Sequence, residues 1–210
     1  MAASSFLAKI PSPIPSFPEL KENVSQLEKI RRQQLIRQAE GYLDLLTCLD
    51  ECWPPEMEVV ELISGKALHS LDRLDVRSGR RGYAAFLRGR AFQLRCDFES
   101  GVTAFTEALE YESDNMKNRL GLARCYRGLN NLVLAIETLE EGVRSQPSHV
   151  SANYCLACYW ALIGNVSQSC DYLFKAIELE PAIRERIELE PDFDSVREFS
   201  EFQMAVAVVV

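Results

Sequence analysis

The chain has 210 residues, 47% hydrophobic and 26% charged, with a formal net charge of −8. This is the composition of an ordinary globular protein of one or two compact domains, and no run of about 18 apolar residues could form a membrane-spanning helix. The negative balance argues against nucleic acid as a partner, because phosphate binding needs a net basic surface or a strong local basic stripe. Seven cysteines, an odd number with no convincing leader ahead of them, are expected as free thiols in a reducing cytoplasm rather than as a disulfide framework.

Residues 1–18 carry prolines at 11, 13, 15 and 18, which break the only early apolar stretch. There is no basic start, so a secretory signal is not expected. The lack of acids before Glu19 leaves a plastid-type leader as a thinner reading, since Lys9 is its only charge. The plainer expectation is a disordered, proline-stiffened tail. Residues 19–81 are expected to form a helical pair. Leu20, Val24, Leu27, Ile30, Leu35, Ala39, Leu43 and Leu46 recur at helical spacing, and Trp53-Pro54-Pro55 ends the pattern. A second helix is predicted from about Glu56 to Leu74, with Pro55 near its start and acids in its first turn.

Beyond residue 81 three segments align without a gap, 82–115, 116–149 and 150–183, at a period of 34 residues. A small residue recurs at Gly89, Ala123 and Ala157, and an aromatic at Phe92, Tyr126 and Trp160. Small residues recur again at Gly101, Ala135 and Ser169, then at Ala108, Gly142 and Ala176. Ser113, Pro147 and Pro181 close the units as breakers or turn formers. Each unit reads as two antiparallel helices of about 13 residues, with small residues where the backbones cross. One such unit cannot bury its apolar face alone, so the units stack.

The period and these positions resemble the tetratricopeptide repeat family. The resemblance covers 82–183 and implies an all-α, right-handed α-α superhelix. Gly101, Gly142, Ser113 and Arg88 depart from the usual alanine, alanine, proline and leucine. Ahead of the three units, KALHSLD (66–72) looks like the end of a degenerate fourth. It precedes the matching TEAL by 41 residues, which a seven-residue insertion within LDVRSGRRG would explain. Residues 19–81 are therefore expected to be a divergent repeat or an N-terminal cap. At the other end, 184–210 is expected to supply a short charged capping helix, a break at Pro191 and an apolar, β-prone tail, AVAVVV. The stretch from ACYWALIGN through EPDFDSVREFSEF is similar to the ends of short bacterial proteins of this family with no assigned role.

In this family the first helix of each unit lines the concave face. Carried over by position, the groove residues are Tyr83, Phe86, Arg90 and Gln93, then Lys117, Leu120, Arg124 and Arg127, then Ser151, Tyr154 and Cys158. An acidic protein would thus hold a locally basic groove with aromatic walls, suited to an acidic segment or a C-terminal carboxylate of a protein partner. Solvated surface arginines would give the same residues. The family's carboxylate clamp for chaperone C-termini is absent, because Phe86, Arg90, Gly121, Ser151 and Cys155 occupy its positions.

No catalytic constellation or cofactor motif is evident. Cys155 and Cys158 form a C-x-x-C inside a predicted helix, where small buried hydrophobes are expected rather than zinc ligands or a redox pair. His69 and His149 have no nucleophile at readable spacing. The expected function is a non-enzymatic adaptor or scaffold that binds a peptide or helix, with a small chaperone shielding apolar client segments as the alternative. No metal, nucleic acid or membrane is expected, and the oligomeric state stays open.

Overall fold

The computed structural model of the chain describes residues 17–52, 55–74 and 80–207. Within them lie α1 (Phe17–Cys52), α2 (Met57–Asp72), α3 (Arg81–Leu94), α4 (Phe98–Tyr111) and α5 (Met116–Gly128). They continue with α6 (Leu132–Ser145), α7 (Val150–Ile163), α8 (Val166–Leu179), a 3₁₀ turn at Pro181–Ile183 and α9 (Arg184–Ile187). A 3₁₀ turn at Pro191–Phe193 and α10 (Ser200–Ala207) complete the chain. Among the described residues all regular structure is helical. From α1 to α8 each helix packs on its neighbours in sequence, and α3 also touches α1 and α5, which is the stacking of an α solenoid. The early proline-rich stretch through Ser16, Trp53-Pro54 and residues 75–79 of the inferred insertion lie outside the described residues.

The repeat pairs α3–α4, α5–α6 and α7–α8 turn in one way, and the reason is local. The carbonyls of Phe92, Tyr126 and Trp160 accept bonds of 3.0, 2.8 and 3.0 Å from the N–H of Asp97, Asn131 and Asn165. Such a closing bond needs a left-handed residue just before its donor. Cys96, Asn130 and Gly164 fill that place with φ of 57°, 58° and 86°. The next residue then starts the second helix. The side chains of Asp97, Asn131 and Asn165 accept from the N–H of Ser100, Leu134 and Gln168 at 3.2, 3.2 and 3.1 Å, satisfying a donor that the helix leaves open. One residue stops a helix and its neighbour caps the next, at the same step in every unit.

Packing follows the small residues. Gly89, Ala123 and Ala157 are all buried. Phe105 of α4 is fully buried, and its ring lies against two glycines of different helices. A Cβ on Gly89 would stand 2.8 Å from that ring, and one on Gly121 2.3 Å from it. The largest core cluster runs from Met116 on α5 to Phe202 on α10, and a second joins α1, α2 and α3. Arg88, where a leucine is typical of the repeat, donates from Nη2 to the Leu71 carbonyl at 3.2 Å and so ties α3 to the end of α2.

Both flanks join this body. On α1, Leu35, Ile36, Ala39, Leu43 and Leu46 are buried, whereas residues 21–34 are exposed except for half-buried Arg32. At the far end Ile187, Phe193, Val196 and Phe202 are buried beside α7 and α8. The apolar tail is helical through Ala207, not extended, and Ala205 and Val206 pack on the core; Val208, Val209 and Val210 lie outside the described residues. A run of small and β-branched residues takes up the helix because its apolar side chains find a partner surface on α8.

Two stability changes follow. Cys96→Gly removes a side chain from a left-handed position at an exposed site, and should raise the unfolding free energy by about 0.5–1 kcal/mol in chemical denaturation. Gly121→Ala should cost about 1–3 kcal/mol, because the Phe105 ring cannot retreat from one glycine without meeting the other. Combining it with Phe105→Leu should cost less than the two single changes added together; additive losses would mean that the ring and Gly121 are not coupled.

Candidate functional site: a partly self-occupied basic groove

The first helices of the units, α3, α5 and α7, carry all the groove residues expected from the sequence. Along α3, Tyr83 stacks on Phe86 with ring centroids 5.9 Å apart, and Phe86 meets the edge of Phe105 at 6.1 Å. Half of α1 lies against this surface. The Tyr83 hydroxyl donates to Glu40, and burial together with that carboxylate pushes the phenol up to about 12. Arg90 donates from Nη1 to Asp44 at 3.2 Å and from Nη2 to Thr47 at 3.3 Å. At this end, acceptors from α1 already satisfy the polar groups of α3.

A second self-contact closes the other end. Arg127 of α5 pairs with Asp192 at 2.5 Å; the carboxylate is 9% exposed and the guanidinium 45%. Burial raises the Asp192 carboxyl above its ordinary range, and Arg127 opposes that shift. On α7 the buried ring of Tyr154 lies edge-on to Phe193 at 5.9 Å, and its hydroxyl donates to Glu190 at 3.3 Å. Arg186 stacks over the same ring at 4.9 Å. Cys158 is buried too, and desolvation pushes its thiol up. Ser151 stays exposed.

Between these ends the surface is open. A hollow of about 410 Å³ is lined by Thr47, Phe86, Gln93, Leu120 and Arg124, among others, and a neighbouring one of about 690 Å³ by Tyr83, Asn118, Gln146 and His149. The two share Phe86, Arg90 and Lys117. Lys117 and Arg124 are exposed, and neither forms an ion pair among the described residues. Arg124 lies beside Cys155, where it favours the thiolate, but burial outweighs this and the thiol is held above its usual range. The open section thus offers two cations above an apolar floor of Phe86 and Leu120.

This geometry is suited to holding a chain segment by carboxylate and apolar contacts. Among the described residues no three His, Cys, Asp or Glu side chains gather to hold a metal ion. None of the described helices is long and apolar enough to cross a membrane. Repeat alignment put the expected residues on α3, α5 and α7, of which Tyr154 and Cys158 are buried, and it missed Glu40, Asp44, Glu190 and Asp192, which contact Tyr83, Arg90, Tyr154 and Arg127. Those four belong to segments outside the repeats, and repeat alignment carries no signal for them.

Residues 97–154 match the tetratricopeptide repeat family. Among solved structures the chain is similar to a crystal structure of MamA, with 15% identity over 82% of this chain and 99% of that one, at a TM-score of 0.53. It is similar at the same TM-score to TTC0263, a thermophilic protein with this repeat from Thermus thermophilus, with 15% identity over 75% of this chain and 97% of the other. At that identity the likeness is one of fold. No curated protein matches.

Removing the arginine from the buried pair gives a test with a pH signature. Arg127→Met should cost about 1–3 kcal/mol at neutral pH, toward the low end because the guanidinium is half exposed. Without Arg127 the Asp192 carboxyl rises further. A raised folded value means that the folded state holds its proton more tightly than the unfolded chain does. The penalty is therefore absent below the ordinary carboxyl value of about 4 and grows as pH rises through the folded value. Thermal unfolding should show the gap between variant and parent narrowing as pH falls from about 7 toward 4. A constant gap would mean that Asp192 bears no charge-dependent strain.

Proposed function

We propose that this chain, which matches the tetratricopeptide repeat family over residues 97–154, serves as a non-catalytic adaptor, holding a segment of a partner protein in the open section between α1, α3 and α5. The observation that carries this reading is the pair of exposed cations, Lys117 and Arg124, which form no ion pair among the described residues and lie beside the apolar floor of Phe86 and Leu120. A partner carboxylate meets the cations, and an apolar side chain next to it covers Phe86 and Leu120. Gln93 offers both a donor and an acceptor to the partner's backbone. Arg90 and Arg127 act differently: their charge is spent on Asp44 and Asp192, and they position the walls.

The chain's own contacts are the best guide to the ligand. Its Glu190–Asp194 segment lays a carboxylate on Arg127 and a phenyl ring on Tyr154. An acidic segment with an adjacent large apolar residue would repeat that chemistry one step along the groove. An uncharged or basic segment would leave both cations unmatched.

Affinity capture with the full chain as bait, followed by titration of the captured partner's acidic segment, tests this. Lys117→Glu with Arg124→Glu should weaken binding by about tenfold or more, and raising salt should weaken binding to the parent chain in the same direction. A partner that binds both forms equally would place its site elsewhere on the molecule.

A further inference from the structure

We infer that the larger hollow, about 690 Å³, is a polar subsite for the carboxamide side chain of an asparagine or glutamine of the bound segment, and that Asn118 selects it. The inference rests on the groove reading above and adds a second specificity to it. Asn118 lines this hollow from the start of α5, yet it is 1% exposed. Its Oδ1 is covered and has no hydrogen-bond partner, and its Nδ2 donates to no group among the described residues. A buried carboxamide with neither end paired is costly, since folding strips its water and returns no bond. Asn153, buried on α7, also leaves Oδ1 unpaired, but its Nδ2 donates to the carbonyls of Pro147 and His149 at 2.9 and 3.0 Å. Asn118 has both ends free, and it borders an open hollow.

The walls around Asn118 present donors and acceptors together, and that mixture selects the ligand. His149 caps α7 by accepting from the Ala152 N–H on Nδ1 at 3.3 Å, so the neutral ring carries its proton on Nε2 and donates there. Gln146 gives its Nε2 to the Asp114 carbonyl at 2.7 Å, which leaves Oε1 to accept. Lys117, Glu112 and Asp114 form an exposed rim of mixed charge, and the charge of Arg90 is paired with Asp44. A ligand carboxylate would meet Glu112 and Asp114. An ammonium would meet Lys117 and the free N–H groups of Asn118 and His149. A carboxamide carries an oxygen, an NH₂ and no charge, so it answers both kinds of group. The peptide group has the same two functions, but Asn118 is buried while the rim is exposed, so a side chain reaches it more readily than a main chain crossing the rim. Because the two hollows share Phe86, Arg90 and Lys117, the carboxamide enters beside the residue whose carboxylate meets Lys117.

A library of synthetic peptides tests it, each with a fixed glutamate–phenylalanine pair and several randomised positions on either side, presented to the full chain and its variants. The parent chain should enrich asparagine or glutamine at one flanking position. A peptide carrying it should bind about threefold or more tighter than its alanine counterpart. Asn118→Leu should abolish that preference, while replacing the fixed pair by two alanines still abolishes binding. The same variant should unfold at no lower temperature than the parent, since it removes an unpaired buried polar group; Asn118→Ala, which adds no bulk, should lose the preference equally. Binding that depends on the fixed pair but enriches no carboxamide would overturn the subsite alone. So would a preference for charged residues at that position, or a carboxamide preference that survives both variants. If the parent binds none of the library, or binds it no better than the chain with Lys117→Glu and Arg124→Glu, the groove reading falls and the subsite with it.

Discussion

The ring of Phe105, enclosed between Gly89 and Gly121, sets how closely the first helices of successive units approach. A side chain on either glycine would overlap the ring, so α3 and α5 can pack on it together only as they stand. That spacing makes one surface from two helices. Phe86 rests on the edge of the same ring, and Leu120 and Arg124 follow from the adjoining helix. Phe105 itself reaches the floor of the smaller hollow, so the core and the open surface meet at one side chain.

From that centre outward the electrostatics are arranged by the flanks. The chain is acidic overall, yet α3 and α5 place Arg90, Lys117, Arg124 and Arg127 along one path. Carboxylates from α1 and from the segment before α10 neutralise the two ends of that path. Charges that pair with the chain itself rigidify the walls; charges left in the middle remain available. The tyrosines obey the same division. Tyr83 and Tyr154 each give their hydroxyl to a carboxylate of a flanking segment, and burial holds both phenols protonated far above neutral pH.

The turn between the paired helices shows how little information a repeat needs. Cys96, Asn130 and Gly164 share no side-chain chemistry, and only glycine adopts the left-handed conformation without strain. Asn tolerates it, and Cys96 accepts the cost because the aromatic carbonyl and the following cap close the turn around it. In the sequence these positions are visible mainly through the residue after them, Asp97, Asn131 and Asn165, whose side chains can each accept from the helix that begins there.

By itself the sequence determined the period, the helix pairs, the small residues at the crossings and which side chains the first helix of each unit carries. All of these are local or recur at a fixed step, so each unit reports on the others. Only the tertiary structure decided which of those side chains are free. Arg90 is answered from 46 residues away and Arg127 from 65, by segments that do not share the repeat. Tyr154 and Cys158 are buried under Phe193 and its neighbours rather than left for a ligand. The same holds for the two halves of α1, one periodic apolar pattern in sequence that the fold divides into a buried stripe and an exposed one. Helical spacing records which residues can face a neighbour; whether a neighbour is there depends on contacts between distant parts of the chain.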